Sequence, residues 1–390
     1  MYLGARGRGL FPLILTLVLA LSLAPHATAY ISSVIPTNNL LELSHLPAQA
    51  RASPGHAHPI ARIDRPGAMR MSLSGGGAPE RGASPLRQRV ELLVYIFFWY
   101  AASVVCTNTT KQLGLHWSML TLSQLSISSL CGFLLIRVAR FVPYTPIQSR
   151  DQLKTTALLA AVFAAGFITL NSALGLMHVS LVMTLRATEP LFTLIIASVL
   201  LKTEQLSLPM MLALLPVVFG AALSSVESSD FNLPGLAIVV VCNIMFALRG
   251  VVTKRLKASH EVDNFNLFFQ VSYLGAMMQA GLLLLAAPLG SLSTALPLAR
   301  RVLEPGYGLM LLVNGITFWM YLQLSWIVLG RVTTVTHSVC NSLRRPVMCV
   351  AGWLQFGNEI SPLSAAGIAL ASAGSLLYSQ VRVAAGKSGD

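Results

Sequence analysis

The sequence predicts an all-α membrane protein with ten transmembrane helices, built as two inverted five-helix repeats. Of its 390 residues, 54% are apolar and only 11% are charged, a balance that is foreign to soluble domains. Apolar stretches long enough to cross a bilayer recur from about Glu91 onward. Each half also contains a polar patch that ends in proline and is followed by a turn that contains a glutamate. Together these observations predict a polytopic helical bundle with internal symmetry.

The first ninety residues have a different character. Residues 1–29 have the order of a signal peptide: two arginines, an apolar core over 10–23 and the cleavage pattern Ala27-Thr28-Ala29. A first transmembrane anchor is the alternative, although the apolar core is short for one. Residues 30–90 contain seven arginines and three acidic residues without a helical apolar period. That composition predicts a disordered leader.

Ten apolar spans follow the leader. They are predicted at 91–112, 118–138, 154–175, 179–201, 209–226, 234–254, 265–289, 308–330, 333–355 and 362–382. We assign 91–226 to the first repeat, 232–383 to the second repeat and 384–390 to a short tail.

The basic residues between the spans predict the orientation in the membrane. Only Arg300 and Arg301 lie on one side. The other side carries thirteen: Arg87, Arg89, Arg137, Arg140, Arg150, Lys154, Lys202, Lys254, Arg255, Lys257, Arg331, Arg382 and Lys387. Because basic loops stay on the cytoplasmic side, both termini are predicted to face the compartment equivalent to the cytoplasm.

The repeat is clearest between 179–225 and 334–379. In each half a polar patch ends at a proline, Pro190 or Pro346, and an apolar stretch then leads to a turn that contains Glu204 or Glu359. Gly220 and Gly374 recur at matching depth in the next span, where we interpret them as packing residues. Five spans per half is an odd number, so the halves must insert with opposite orientation. Secondary carriers are commonly built this way, with the substrate bound near midplane where the halves meet.

Two adjacent arginines, Arg344 and Arg345, lie near the middle of the ninth span. A central arginine costs roughly 2.5–3.5 kcal/mol on insertion scales, so a pair requires a reason. One reason is a water-filled cavity for an anion, most readily phosphate, which guanidinium groups bind with two hydrogen bonds. The alternative is a shorter span from which both side chains snorkel to the interface.

Further ionisable residues lie inside the spans. Arg186 is one turn from Glu189, so the two either pair internally or leave Arg186 available for a ligand. Arg249 either faces the interior or reaches the membrane surface next to Lys254 and Arg255. Counting Arg186, Arg249, Arg344 and Arg345 against Glu189 leaves the interior positive. Such an interior suits a dianion and predicts strict exchange, because unneutralised arginines resist closure of the empty carrier.

Several function classes receive no support from the residues. The five cysteines (Cys106, Cys131, Cys242, Cys340 and Cys349) lie in apolar runs without CxxC or Cys/His spacing, so no disulfide framework, metal site or cofactor is predicted. The formal charge is +13, but no basic run is interleaved with aromatic residues. The predicted surroundings are therefore a lipid bilayer and not a nucleic acid. Nothing in the sequence indicates an oligomeric state.

The order of the span motifs resembles a known family. The motifs are Phe98-Trp99-Tyr100, Asn108 and Lys111 in span one; Val179-Ser180, Leu185-Arg186 and Glu189-Pro190 in span four; Asn243, Phe246 and Arg249 in span six; Tyr321 and Gln323 in span eight; and Thr336-His337, Asn341 and Leu343-Arg344-Arg345 in span nine. In this order they resemble the motifs of the plastid sugar-phosphate/phosphate translocators. These proteins belong to the triose-phosphate transporter branch of the drug/metabolite transporter superfamily. The resemblance runs from about Tyr95 to Gln380.

The resemblance implies an antiporter that exchanges inorganic phosphate for a phosphorylated C3–C6 metabolite by alternating access. Family members bind phosphate with a lysine in span four, a Lys-Arg pair in span nine and a tyrosine in span eight. By position these roles fall on Arg186, on Arg344 and Arg345, and on Tyr321, with Arg249 as an auxiliary. His337, Lys111 and Asn341 are further candidates.

This sequence departs from the family pattern at several of these positions. Arginine replaces lysine at 186 and 344, which keeps the charge but changes the geometry. Phe167 and Met183 stand where triose-phosphate members have histidines. Pro346 follows the basic pair and predicts a kink. The phosphate site is expected to persist. The absence of the span-three histidine argues against a pure triose-phosphate exchanger and leaves phosphoenolpyruvate, pentose phosphate and hexose phosphate open as partners.

The leader adds an expected location. An arginine-rich segment behind a signal peptide resembles the bipartite targeting sequence of secondary plastids, and Tyr30 stands where red-lineage algae place an aromatic residue. This implies the inner envelope membrane, with both termini in the stroma. A nucleotide-sugar or related carrier of the Golgi or ER is the alternative within transport. A membrane-embedded enzyme or sensor is the alternative outside transport, although no catalytic pairing stands out.

Overall fold

The computed structural model describes residues 85–196, 198, 208–226, 228, 231–285, 301, 304, 306–332, 334–357 and 360–387. The predicted signal peptide at 1–29, nearly all of the leader, residues 388–390 of the tail, and both glutamates of the repeated turn, Glu204 and Glu359, lie outside these residues.

Ten helices make up the regular structure of the described chain, and it contains no strand. They are α1 (Pro85–Leu113), α2 (Trp117–Val138), α3 (Arg150–Leu176), α4 (Val179–Ile196), α5 (Leu208–Val226), α6 (Leu233–Ser259), α7 (Asn264–Leu285), α8 (Tyr307–Arg331), α9 (Thr334–Phe356) and α10 (Pro362–Lys387). Within the described ranges, every helix except α9 is long and apolar enough to cross a membrane. Helix α9 has a sufficient length of 23 residues but is more polar, because it carries the arginine pair. The predicted all-α membrane class is confirmed.

Contacts between helix ends show that α1 and α2, and likewise α7 and α8, run in opposite directions. At one end of the bundle, the Thr145 amide between α2 and α3 donates to Asn266 Oδ1 at the start of α7, at 3.1 Å. At the opposite end, the Tyr307 hydroxyl at the start of α8 donates to the carbonyl of Leu113, where α1 ends, at 3.1 Å. This alternation agrees with the two-sided grouping of loops that the basic residues predict. The compartment that each side faces stays a prediction.

Helix packing also relates the two halves. Helix α1 packs on α8, and the corresponding helix α6 packs on the corresponding helix α3. The pairs α2–α7, α4–α9 and α5–α10 meet across the halves. This pattern is compatible with the predicted inverted repeat.

Glycines allow α5 and α10 to approach closely. A Cβ atom on Gly220 would lie 2.4 Å from the backbone nitrogen of Ala371 and 2.6 Å from the carbonyl oxygen of Gly367. A Cβ on Gly374 would lie 2.7 Å from the backbone nitrogen of Val217. Real Cβ atoms do not come this near to backbone, so the packing role predicted for Gly220 and Gly374 is confirmed.

A buried network of amide side chains joins α1, α2, α3 and α8. Gln124 donates to Asn314 Oδ1 at 3.0 Å and accepts from Asn171 at 2.9 Å. Asn314 donates to the hydroxyls of Thr109 and Thr110, both at 2.9 Å. The contacts of Asn314 and Asn171 are those of helix-joining residues.

Candidate functional site

Helix α4 is interrupted at its most polar point. An α-helical segment ends at Leu185, residues Arg186–Thr188 form a 3₁₀ turn, and a second α-helical segment starts at Glu189. Pro190 has no backbone N–H, so it cannot make the α-helical bond to the carbonyl of Arg186. The Glu189 amide bonds that carbonyl instead, in the tighter 3₁₀ pattern.

The shift to 3₁₀ geometry leaves the carbonyl of Leu185 in need of new donors. Thr188 Oγ1 donates to it at 2.8 Å, and Asn243 Nδ2 of α6 donates to it at 3.3 Å. Asn243 Nδ2 also contacts the Thr188 hydroxyl at 3.0 Å. A buried side chain of the second half therefore supports the break in the first half, which fixes the directions of Arg186 and Glu189.

Glu189 is the shared acceptor of two arginines from different halves. Its Oε2 atom accepts from Arg186 Nη2 at 2.8 Å and from Arg345 Nη2 at 3.0 Å. Both arginines are buried, with 8% and 9% of their surface exposed. The pairing of Arg186 with Glu189, one of the two possibilities open from the sequence, is thus present. The sequence analysis missed that Arg345 joins it.

Arg344 points away from this ion pair although it is the next residue. Successive residues of an α-helix differ by about 100° in direction. Arg344 Nη1 donates to Ser103 Oγ of α1 at 3.0 Å. Its guanidinium carbon lies 5.6 Å from the ring centres of both Trp99 and Tyr321. Arg344 therefore faces α1 and α8, whereas Arg345 faces α4.

Arg249 and Arg186 lie against the same aromatic ring. The guanidinium carbon of Arg186 is 4.3 Å from the ring centre of Phe246, and that of Arg249 is 4.7 Å from it. Within the described part of the chain, the guanidinium group of Arg249 has no hydrogen-bond or salt-bridge partner, although its backbone carbonyl accepts from Thr253. Cation–π contact is favourable when the charge is desolvated, but it satisfies no N–H donor.

The five principal candidates come together. Glu189 lies within electrostatic range of all four arginines, and Tyr321 is within range of Arg186, Arg249 and Arg344. We call Arg186, Glu189, Arg249, Tyr321, Arg344 and Arg345 the arginine cluster. It holds four guanidinium groups and one carboxylate, so its formal charge is positive by three. The snorkelling alternative, which was open for Arg344 and Arg345, does not describe Arg345, because its side chain is buried between helices and bonds Glu189.

The three further candidates lie at different distances from the cluster. His337 stacks on Trp99 with ring centres 5.1 Å apart, and its Nε2 atom is 3.1 Å from Ser325 Oγ, so it borders Arg344 through Trp99. Asn341 lines a polar cavity together with Arg345. Lys111 lies near the C-terminal end of α1, where it donates to the carbonyl of Met177 at 2.7 Å. It is eight residues beyond Ser103, about 12 Å along the helix.

Pro346 leaves α9 helical, since the helix continues as one element to Phe356. Phe167 is buried among aromatic rings, with the Phe246 and Phe318 ring centres at 5.1 Å and 4.6 Å. It has no polar atom to offer a ligand. The cluster is thus backed by an apolar aromatic wall on the α3 side.

Sequence reasoning singled out Trp99 and Asn243 only as motif members and missed Ser103 altogether. Spacing could have found Ser103, because it is four residues after Trp99 and so shares a face of α1. No local signal could have shown that Asn243 supports a break in another helix.

Comparison with known proteins agrees with this arrangement. The family model described as Triose-phosphate Transporter family matches residues 90–379, which takes in the arginine cluster and all ten helices almost completely. The chain belongs to the Triose-phosphate Transporter family. The predicted resemblance is therefore confirmed.

Three relatives illustrate the range of this family. The chain is 32% identical over 314 residues to phosphoenolpyruvate/phosphate translocator 3, chloroplastic, of Oryza sativa subsp. japonica, covering 78% of this chain and 77% of the relative. It is 28% identical over 321 residues to the triose phosphate/phosphate translocator, non-green plastid, of Brassica oleracea var. botrytis, covering 80% and 79%. It is 23% identical over 372 residues to glucose-6-phosphate/phosphate translocator 1 of Arabidopsis thaliana, covering 93% and 94%.

Proposed function

We propose that this protein exchanges inorganic phosphate for a phosphorylated metabolite of three to six carbons across a plastid envelope membrane. The observation that carries the proposal is the imbalance of the arginine cluster: four guanidinium groups share one carboxylate inside a helical membrane protein. The family supports the reaction class, because its relatives are phosphate translocators with different organic partners. The residues proposed to bind the phosphate are Arg186, Arg344, Arg345 and Tyr321, with Arg249 in support.

The chemistry of the cluster suits a phosphate group. Within the described residues, the buried Nε atoms of Arg186 and Arg344 have no hydrogen-bond acceptor. An unsatisfied buried donor costs about 1–3 kcal/mol, so an acceptor-rich ligand gains by supplying the missing bonds. A phosphate monoester brings about −1.5 to −2 charges at neutral pH and three acceptor oxygens. Guanidinium forks bind such groups with paired hydrogen bonds.

The charge imbalance also supports obligatory exchange. Closing the helices around an unoccupied cluster would confine several positive charges at low dielectric, where their mutual repulsion is strong. A bound dianion would cancel most of the excess and allow the gates to close. The empty carrier would then change slowly between its two open states. The loaded carrier would make the same change quickly, in both directions.

The organic part of the substrate would meet the aromatic wall around Phe167. Because Phe167 offers no hydrogen bond, the α3 side of the site would not select a hydroxylated sugar. This is compatible with any of the organic partners named for the relatives, and it favours substrates whose recognition depends mainly on the phosphate. We further propose the inner envelope of a secondary plastid as the location, with both termini in the stroma. The chloroplastic relatives, the leader composition and the distribution of basic residues support this.

Reconstitution tests the proposal. Purified protein in phosphate-loaded liposomes should take up labelled phosphate, and a panel of three-, five- and six-carbon phosphates should compete to different extents. The double variant Arg344→Ala, Arg345→Ala should reduce exchange to the level of protein-free vesicles. The exposed Arg255→Ala is the matched control, because it removes one arginine outside the cluster and should retain exchange. Retained exchange in the double variant would refute phosphate binding by this pair.

Location is tested separately. Residues 1–90 fused to a fluorescent protein should enter plastids of an alga with secondary plastids. Accumulation in the Golgi or ER would instead favour the nucleotide-sugar carrier alternative.

A further inference from the structure

A polar cavity lies beside the arginine cluster, between α4, α9 and α10. It is a cavity of about 180 Å³ whose lining is mainly polar. Its lining includes Glu189, Thr193, Asn341, Ser342, Arg345 and Arg382. Such a space between membrane-spanning helices is unusual, because polar groups in the hydrocarbon region are expensive unless they meet water or each other.

The cavity lies on the other side of α9 from Arg344. Arg344 contacts α1 and α8, whereas Arg345 faces α4 and this cavity. Arg382 is five residues before the end of α10, about 7.5 Å from that end along the axis, and Asn341 is about 10 Å from the start of α9. Both helix ends belong to the side where the basic residues concentrate. The cavity therefore extends from the basic side of the bundle toward Arg345.

The charges around the cavity suit a small anion. Arg345 and Arg382 line it, and Glu189 is its acidic member. Glu189 accepts from Arg345 and also from Arg186 through the same oxygen atom, so one carboxylate serves two arginines. The two arginines and one carboxylate of the lining give it a formal positive charge, which favours an anion such as phosphate. Neighbouring hydroxyl and amide groups, including Ser342 and Asn341, supply further donors.

We propose that this cavity is an outer anion site, where a phosphate group binds Arg345 and Arg382 before it reaches Arg344. The proposal rests on the proposed phosphate exchange and adds a second, side-specific binding position to it. Arg345 takes part in both positions, because its Nη2 is held by Glu189 at the boundary between the cavity and the cluster. An anion that arrives from the basic side first meets Arg382, and Glu189 then competes with it for Arg345.

Cysteine labelling tests whether water and phosphate reach the cavity. Ser342→Cys would place a thiol on the cavity lining, and Ala373→Cys would place one on an exposed, lipid-facing position of α10. In full-length protein reconstituted into vesicles, an anionic methanethiosulfonate reagent should modify Ser342→Cys well above the parent with its five natural cysteines. Ala373→Cys should not react above the parent. Inorganic phosphate should slow the modification of Ser342→Cys.

Arg382 variants distinguish an outer site from the arginine cluster. Arg382→Gln should raise the KM for phosphate on the basic side roughly tenfold, the equivalent of one charge-assisted hydrogen bond, with kcat retained. It should also remove the protection of Ser342→Cys by phosphate, and Arg382→Lys should restore part of both effects. Arg255→Gln, exposed on the same side, should change neither.

Two results would overturn the outer site. One is normal exchange with no modification of Ser342→Cys above the parent. The other is an Arg382→Gln variant with unchanged KM on both sides and unchanged protection by phosphate. Failure of the proposed function would look different, because the parent itself would then exchange no phosphate. Phosphate protection of Ser342→Cys in the same vesicles would still decide whether the cavity binds the anion.

Discussion

Two buried polar regions of this protein differ in how well their donors and acceptors balance. The amide network of Gln124, Asn171 and Asn314 joins α1, α2, α3 and α8, and its amide groups bond one another or neighbouring hydroxyls. The arginine cluster joins α4 and α9 with far more donors than acceptors. The first region is complete without a ligand. The second requires one, and this difference separates a structural polar cluster from a binding site.

Among the variants that probe these two regions, removal of the Glu189 carboxylate should cause the largest loss of stability. Glu189→Gln leaves Arg186 and Arg345 without their common counter-ion, and breaking a buried ion pair from one side costs about 3–5 kcal/mol. Thermal melting in detergent should therefore show a large loss of stability without phosphate. Added phosphate should raise the melting temperature more in this variant than in the parent, because it replaces the missing charge.

The matched control is Glu91→Gln, which weakens the ion pair with Arg331 at 3.1 Å near the membrane surface. Surface pairs contribute about 0–1 kcal/mol, so little change is expected. Equal melting temperatures for Glu189→Gln and Glu91→Gln would contradict the role given to Glu189.

Disruption of the amide network should lower the stability by an intermediate amount and leave phosphate binding unchanged. Asn314→Ala removes the acceptor of Gln124 and the donor to Thr109 and Thr110. Interhelical hydrogen bonds in membranes are each worth roughly 0.6 kcal/mol on average, so a loss of about 1–2 kcal/mol is expected. The melting temperature should fall, while the KM for phosphate should remain that of the parent. A raised KM without loss of stability would mean that Asn314 belongs to the binding site.

A change in the aromatic wall should have the smallest effect, on selectivity alone. Phe167→His introduces a hydrogen-bonding ring beside Phe246 and Phe318. A new bond to a substrate hydroxyl is worth about 1 kcal/mol, so exchange should shift several-fold toward a hydroxylated triose phosphate over phosphoenolpyruvate. Competition by both substrates against labelled phosphate measures the ratio. Phe167→Leu is the control and should leave the ratio unchanged.

Much of the helical frame could be predicted from the sequence, since apolar length alone determines where a span can lie. Each of the ten predicted spans coincides with a helix, although α9 is less apolar than the others, α1 extends back to Pro85 and α6 extends to Ser259. The pairing of Arg186 with Glu189 was also foreseeable, because residues three apart share a helix face. Gly220 and Gly374 were correctly interpreted as packing residues from their matching depth in the two halves.

The shared use of Glu189 by Arg345 could not be predicted in the same way. The two residues are separated by 156 positions, and their contact depends on how α4 and α9 are rotated about their axes. The separation of Arg344 from Arg345 has the same origin. The cavity next to Arg382 depends on packing of α10 against both helices, which hydrophobic periodicity does not specify.

The most direct test of the central claim is the rate of phosphate uptake into vesicles with and without internal counter-substrate. If the empty arginine cluster resists closure, uptake should be fast into vesicles loaded with phosphate and close to the protein-free background in vesicles without it. Equal uptake in both would show that the unoccupied carrier returns freely, and it would contradict the claim that the excess positive charge enforces exchange.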